Sequence, residues 1–267
     1  YVVYMYSADV LEFSRNFLTN WIMKKVTSGS ECLIANSVFT KSLITVHSLA
    51  PEDKIIVSTP GVDTDMFNPD KGEDSIKEKY GIPSDKKMLL TISRLAERRG
   101  HENVIKAFSE VIKDFNEVVY VIVGDGRTKS RLKTLVKEMH LENNVIFTGE
   151  MPFDQLAFFD NACDIFIMTP RYIEEKGDVE GFGIVFLEAN ACGKPVIAGK
   201  SGGVSEAVIN EHTGLLVNPE DVEQIKDAIL ALLKDEDMAT RFGSNGLVRV
   251  REEFDWTSRA EELKRYI

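Results

Sequence analysis

Two glutamates eight positions apart, Glu180 and Glu188, bracket the stretch of this chain best suited to chemistry. After Glu180 come Gly181, Phe182, Gly183 and Ile184. The glycine pair opens a segment with helical spacing, in which Ile184, Leu187 and Ala191 share one face. A helix N-terminus offers unbonded backbone N–H groups and the positive end of the helix dipole. Glycines let a ligand come close to those groups, which suits a phosphate. Carboxylates two turns apart can flank a hydroxyl-rich ligand such as a sugar, each charged hydrogen bond being worth roughly 1.5–3 kcal/mol. The bare spacing fits equally an ordinary helix with two solvated glutamates.

A second group is basic. Arg94 and Arg99 fall in the loop after the apolar run Met88-Leu89-Leu90-Thr91-Ile92, beside Gly100. A guanidinium forks onto phosphate oxygens and stays charged. A solvated basic loop would look the same in sequence. Gly124-Asp125-Gly126 could begin a dinucleotide fingerprint, but the third glycine position holds Lys129, which argues against a dehydrogenase. Asp63-x-Asp65 matches a short acidic metal-holding motif, yet no other ligand cluster accompanies it.

Positioning these groups requires a regular scaffold, and the chain reads as one. Strands are expected at 1–6, 32–35, 54–57, 88–92, 118–123, 145–148, 164–168 and 196–198. Helices are expected at 37–49, 101–113, 127–140, 153–161, 204–209 and 220–234. Asp9 is expected to cap a further helix to about residue 26, with Val10, Phe13, Phe17 and Trp21 on its buried face. Lys24 and Lys25 beside Trp21 raise a membrane-surface reading, but a core helix with a solvated end is favoured. Residues 69–86 read as a charged linker. Alternating strands and helices imply an α/β fold, a parallel sheet with helices on both faces. Ligands of such sheets bind beyond the carboxyl ends of the strands, where both groups fall.

Composition excludes some classes. The net charge is −11, which argues against non-specific nucleic-acid binding, and phosphates must be met by a few local arginines. Cys32, Cys163 and Cys192 lie far apart with no metal spacing and read as thiols of a reducing compartment. No stretch reaches the length of a membrane-spanning helix.

The run from Glu180 to Glu188 resembles the Glu-x7-Glu signature of the family 4 retaining glycosyltransferases, which have the GT-B fold. Gly177-Asp178-Val179-Glu180-Gly181-Phe182-Gly183-Ile184, Ala191-Cys192-Gly193-Lys194-Pro195 and Ser201-Gly202-Gly203 are most similar to the bacterial phosphatidylinositol mannosyltransferase branch. Pro60-Gly61-Val62-Asp63 resembles the turn that ends that family's first domain, and Ser93-Arg94-Leu95 with Arg99-Gly100 its Gly-Arg-Leu and Lys-Gly pattern. The chain departs from the pattern at Ser93, where the family has glycine, and at Arg99, where it has lysine.

The resemblance implies transfer of a hexose from a nucleotide diphospho-sugar, with GDP-mannose the expected donor, to a glycan or lipid-linked acceptor. Arg94 and Arg99 would neutralise the diphosphate, helped by the amides of Phe182, Gly183 and Ile184. Glu180 would bind sugar hydroxyls and Glu188 the ribose, while Gly149, Glu150 and Met151 frame the base. No metal or other cofactor is expected. A UDP-sugar donor, an epimerase of the same fold and a non-catalytic nucleotide-sugar-binding module stay open. The family often carries a histidine near the reacting carbon, where this chain reads Tyr6-Ser7-Ala8-Asp9. Residues 1–80 would be the end of an acceptor-side domain plus linker, 81–250 the donor-binding domain, and 251–267 a terminal helix crossing back. The chain is thus expected to be a fragment, inactive alone, of a cytoplasmic enzyme that can sit peripherally at the inner face of the membrane.

Overall fold

The structure, a computed structural model, describes residues 1–72 and 74–265. Within the expected linker Glu73, and at the chain end residues 266–267, lie outside the described residues. Two parallel sheets carry the fold. The first has the order β1 (Val3–Met5), β2 (Leu33–Ala35), β3 (Ile55–Val57). Around it stand α1 (Ser7–Ser14), α2 (Phe17–Ser28) and α3 (Val38–Val46). A small core of Met5, Val10, Leu33, Ala35, Ile44, Leu49 and Ile55 joins them.

The single helix expected from Asp9 to about residue 26 is two. Asn16 takes an extended conformation and its side chain accepts from the Leu18 N–H at 2.9 Å, starting a second helix. Asp9 caps neither; it lies in the first turn of α1 and accepts from the Tyr6 N–H at 2.9 Å. The break turns the apolar face outward. Val10 is buried, but Phe13 is exposed, Phe17 is 88% exposed and Trp21 53%. The reading of this segment as a core helix is therefore wrong. Thr27 is the buried residue of α2, where its hydroxyl donates to the Leu49 carbonyl.

The expected linker is also more ordered than a charged spacer. It contains α4 (Asp74–Lys79), and Ile76 and Ile82 are buried in the main core.

The second sheet comprises β4 (Lys87–Ile92), β5 (Val118–Val123), β6 (Val145–Gly149), β7 (Ile165–Met168), β8 (Val196–Gly199) and β9 (Gly214–Val217), in the order β6-β5-β4-β7-β8-β9. The helices between and after its strands are α5 (His101–Asp114), α6 (Lys129–Glu138), α7 (Leu156–Ala162), α8 (Ile184–Ala191), α9 (Val204–Ala207), α10 (Val222–Lys234), α11 (Glu236–Glu253) and α12 (Trp256–Leu263). Alternation along the strands explains the layers. Met88, Leu90, Val119, Val121, Phe166 and Ala198 point to one face, with α7, α8 and α9. Leu89, Val118, Tyr120, Ile122, Ile165 and Ile197 point to the other, with α5, α6 and α10. With both faces buried, the central strands β5 and β7 read as unbroken apolar runs.

Two glycines inside α11 have a packing reason. A Cβ on Gly243 would lie 2.0 Å from the Gly193 carbonyl oxygen, and one on Gly246 2.5 Å from the Asn190 amide. Thus α11 lies close on α8, and the return to the first part begins at Phe254. There the Val62 N–H donates to the Phe254 carbonyl at 2.7 Å, and the Trp256 N–H to the Val62 carbonyl at 2.9 Å. Asp63, the first half of the acidic pair, accepts from the amides of Asp65 and Met66 in its own turn.

Candidate active site

In the second sheet β4 runs on to β5 on one side and borders β7 on the other. A reversal of this kind opens a crevice at the carboxyl ends of the strands. The loop after β4 carries Arg94, Arg98 and Arg99, and the loop after β7 leads to Glu180. Gly100 brings the loops together. It adopts φ +77°, and a Cβ there would fall 1.9 Å from the Thr169 carbonyl oxygen, so only glycine fits.

At the contact Arg99 Nη1 donates to Glu180 Oε2, the side chains being 18% and 11% exposed. Burial pulls the Arg99 pKa down, and the Glu180 carboxylate acts against it. Arg98 was missed from sequence. It donates to the Val179 carbonyl at 2.9 Å and pairs with Asp178 at 3.0 Å, which buttresses the backbone before Glu180. No local pattern signals that pairing. Arg94 is exposed beside them. Ser93, the departure from the family glycine, sets its hydroxyl 3.0 Å from His101 Nε2. Burial, and then Arg99, push the His101 imidazole down to about 3, so it is neutral.

Gly183 opens α8 at φ +92°, and no side chain caps that N-terminus. The turn after β8 closes on the same backbone. The Gly203 N–H donates to the Glu180 carbonyl at 3.0 Å, and a Cβ on Gly202 would lie 2.1 Å from that oxygen. Facing it from the first sheet are Ser7 and Asn36, whose polar atoms would lie 2.9 and 3.2 Å from a Cβ on Gly181. Ser7 thus stands in the segment that matches the place where the family often carries a histidine. Its hydroxyl contacts Thr40 Oγ1 at 2.5 Å.

Three cavities that share residues open here. One of about 560 Å³ is lined by Arg94, Arg99, Gly124, Glu150, Met151 and Val185. One of about 610 Å³ is lined by Arg94, Arg98, Arg99, Arg127 and Asp178. One of about 310 Å³ holds Ser7 and Asn36 against Glu180 to Ile184. The structure therefore gathers Arg94, Arg99, Glu180, Gly181, Phe182, Gly183, Ile184, Glu150 and Met151. Gly149 adjoins them at the end of β6, accepting from the Gly124 N–H at 2.8 Å. Glu188 does not line these cavities. It is buried one turn into α8, where burial raises its pKa to about 7. Beneath it lies Asp160, fully buried and with both carboxylate oxygens unbonded; burial, then the Glu188 charge, raise its pKa well above the usual range. A separate cleft of about 340 Å³, around Lys87, Asp164 and Lys194, sits at the opposite ends of the strands.

Residues 72–249 match the family described as Glycosyl transferases group 1. The chain belongs to the group 1 glycosyltransferases. A Mycobacterium tuberculosis GDP-mannose-dependent alpha-(1-6)-phosphatidylinositol monomannoside mannosyltransferase is 32% identical over 92% of this glycosyltransferase chain and 64% of its own length. A Corynebacterium glutamicum GDP-mannose-dependent monoacylated alpha-(1-6)-phosphatidylinositol monomannoside mannosyltransferase is 37% identical over 76% of the chain and 53% of its own length. The chain thus spans less than two thirds of these relatives. Sucrose-phosphate synthase from Thermosynechococcus elongatus superposes with TM-score 0.85 at 26% identity, covering 99% of this chain and 66% of that one. Anabaena HepE, solved with UDP and glucose, gives 0.86 at 22% identity over 99% of this chain and 70% of its own. The fold is that of the GT-B glycosyltransferases, as the resemblance implied. Among the described residues no helix of this glycosyltransferase is long and apolar enough to cross a membrane.

Proposed function

We propose that the chain is the donor-binding part of a retaining hexosyltransferase that takes mannose from GDP-mannose and delivers it to a glycan or lipid-linked acceptor. The observation that carries this reading is the gathering of Arg94, Arg99, Glu180 and the uncapped start of α8 around adjoining cavities. The names of the mycobacterial and corynebacterial relatives support mannose and GDP. In this reading residues 81–250 bind the donor, 1–80 belong to the acceptor side with its linker, and 251–267 return the chain. A lipid-linked acceptor makes it a peripheral protein of the inner membrane face.

The diphosphate lies against Arg94 and Arg99 and the amides of Phe182, Gly183 and Ile184. Donors fixed in advance stabilise charge as it develops, without reorganising. The bond from the anomeric carbon to the β-phosphate oxygen breaks with its electron pair left on that oxygen. The acceptor hydroxyl oxygen bonds to the same face of the carbon, and its proton leaves with the diphosphate or to solvent. Glu180 accepts from the sugar hydroxyls, sharing its carboxylate with Arg99. Glu188 accepts from the ribose, which requires it to reach past Val185, and Gly149, Glu150 and Met151 frame the base. Guanidinium groups and amides supply the positive charge, so this reading requires no metal or other cofactor.

Calorimetry with GDP and UDP tests the donor. GDP is expected to bind tighter, and Arg94→Ala to weaken both alike, since it meets phosphate and not base. Glu188→Ala is expected to cost both roughly 1.5–3 kcal/mol. Tighter UDP binding rejects the GDP assignment, and unchanged affinity in Glu188→Ala rejects the ribose role. Nuclear magnetic resonance of early product from an α-linked donor tests retention: a β product rejects it.

A further inference from the structure

One guanidinium of the candidate site has neither a role in that reading nor a partner among the described residues. Arg127 is exposed just after the Gly124-Asp125-Gly126 turn, and no ion pair or side-chain hydrogen bond holds it among the described residues. The backbone beneath it is firmly placed. Gly124 and Gly126 adopt φ +136° and +156°, and a Cβ on either would lie 2.0 Å from the Ser93 carbonyl oxygen or 2.4 Å from that of Leu95. The Leu95 N–H donates to the Asp125 carbonyl at 2.8 Å, and the Thr128 N–H to the Leu95 carbonyl at 3.2 Å. These contacts zip the turn after β5 onto the arginine loop after β4 and bring Arg127 to the cavity that Arg94, Arg98 and Arg99 line.

Charge balance singles it out. Arg98 is matched by Asp178, and Arg99 by Glu180. Arg94 and Arg127 are the guanidinium groups of this cavity without a carboxylate partner among the described residues. A nucleotide diphospho-sugar brings two negative charges, and the departing nucleoside diphosphate brings more. We propose that Arg127 is a second free guanidinium of the diphosphate site, closing on the phosphates from the side opposite α8. The proposal rests on the donor reading above. The glycine turn, a poor dinucleotide fingerprint, then serves to aim Arg127.

The test is calorimetry of the chain with GDP, UDP, GMP and UMP, in the wild type, Arg127→Ala, Arg127→Lys and Lys129→Ala. Lys129→Ala removes the same charge nearby, from a residue already paired with Asp125 at 2.6 Å. Arg127→Ala is expected to weaken the preferred diphosphate about tenfold, one charge-assisted hydrogen bond at the low end of its range. Its monophosphate should change less than about twofold, Arg127→Lys should fall between, and Lys129→Ala should match the wild type. Unchanged diphosphate affinity in Arg127→Ala overturns the proposal, as does an equal loss for both phosphate lengths or for Lys129→Ala. A wild type that binds neither diphosphate rejects the donor reading itself, and this inference with it.

Discussion

Glu180 and Arg99 pair with each other, and this makes each a poor residue to remove. Taking away one partner of a buried pair leaves the other uncompensated, a loss of roughly 3 kcal/mol. Glu180→Ala is expected to lower unfolding stability by about that amount, read by urea titration. It should also bind inorganic pyrophosphate more tightly than the wild type, because the anion takes the place of the missing carboxylate beside Arg99. Weaker pyrophosphate binding would show that Arg99 does not face the anion. Glu188 carries a pH dependence. Burial lifts its folded pKa to about 7, above the ordinary glutamate value of 4.5. Its contribution is therefore fully present below pH 4.5 and is lost as pH rises through 7. A shift of that size corresponds to about 3 kcal/mol. Glu188→Gln is expected to gain on the wild type in unfolding free energy between pH 5 and pH 8, and parallel curves would refute the burial of an ionisable carboxylate there.

Secondary elements here are joined by glycines whose constraints differ in kind. Gly100 and Gly149 share a left-handed conformation, at φ +77° and +83°, but a Cβ on Gly100 meets Thr169 while one on Gly149 meets nothing within 4 Å. Gly149→Ala should therefore cost only about 1 kcal/mol of backbone strain. Gly100→Ala should cost clearly more than that and weaken nucleoside diphosphate binding, because it separates the arginine loop from β7. Thermal unfolding of the two variants checks the contrast, and equal losses would show that conformation alone matters. The same local physics decides what was legible in the chain. Strands β4, β5 and β7 are buried on both faces and read directly as apolar runs. The glycines before α8 and the arginines after β4 likewise carry local chemistry. Asn16, a single capping side chain inside an apolar periodicity, was outweighed by the pattern around it. The exposure of Phe17 and Trp21, the Arg98–Asp178 pair and the burial of Glu188 depend on what packs against them in space.

Across the whole molecule, several contacts join the parts built on the two sheets, and one is electrostatic. The Glu206 carboxylate, at the end of α9, accepts from the Val38 and Phe39 amides at 2.7 and 2.9 Å and so caps α3 from 168 residues away. Losing a helix cap costs about 1 kcal/mol. Glu206→Ala is expected to lose about that much and to speed hydrogen exchange at Val38 and Phe39 while leaving the β4 amides protected; uniform exchange would argue against a local joint. A further joint is the backbone pairing of Val62 with Phe254 and Trp256. The chain crosses from the first sheet to the second just after that point, and crosses back at it. Two crossings side by side act as a door hinge: they hold one edge at fixed distance, resist sliding and leave a swing about a single axis. Away from that axis, at the mouth where Ser7 and Asn36 approach Gly181, the two parts are tied by the Glu206 bonds to Val38 and Phe39 and by Arg15 to the Glu175 carbonyl, so a small rotation at Val62 works against these side-chain ties and changes the width of the cleft.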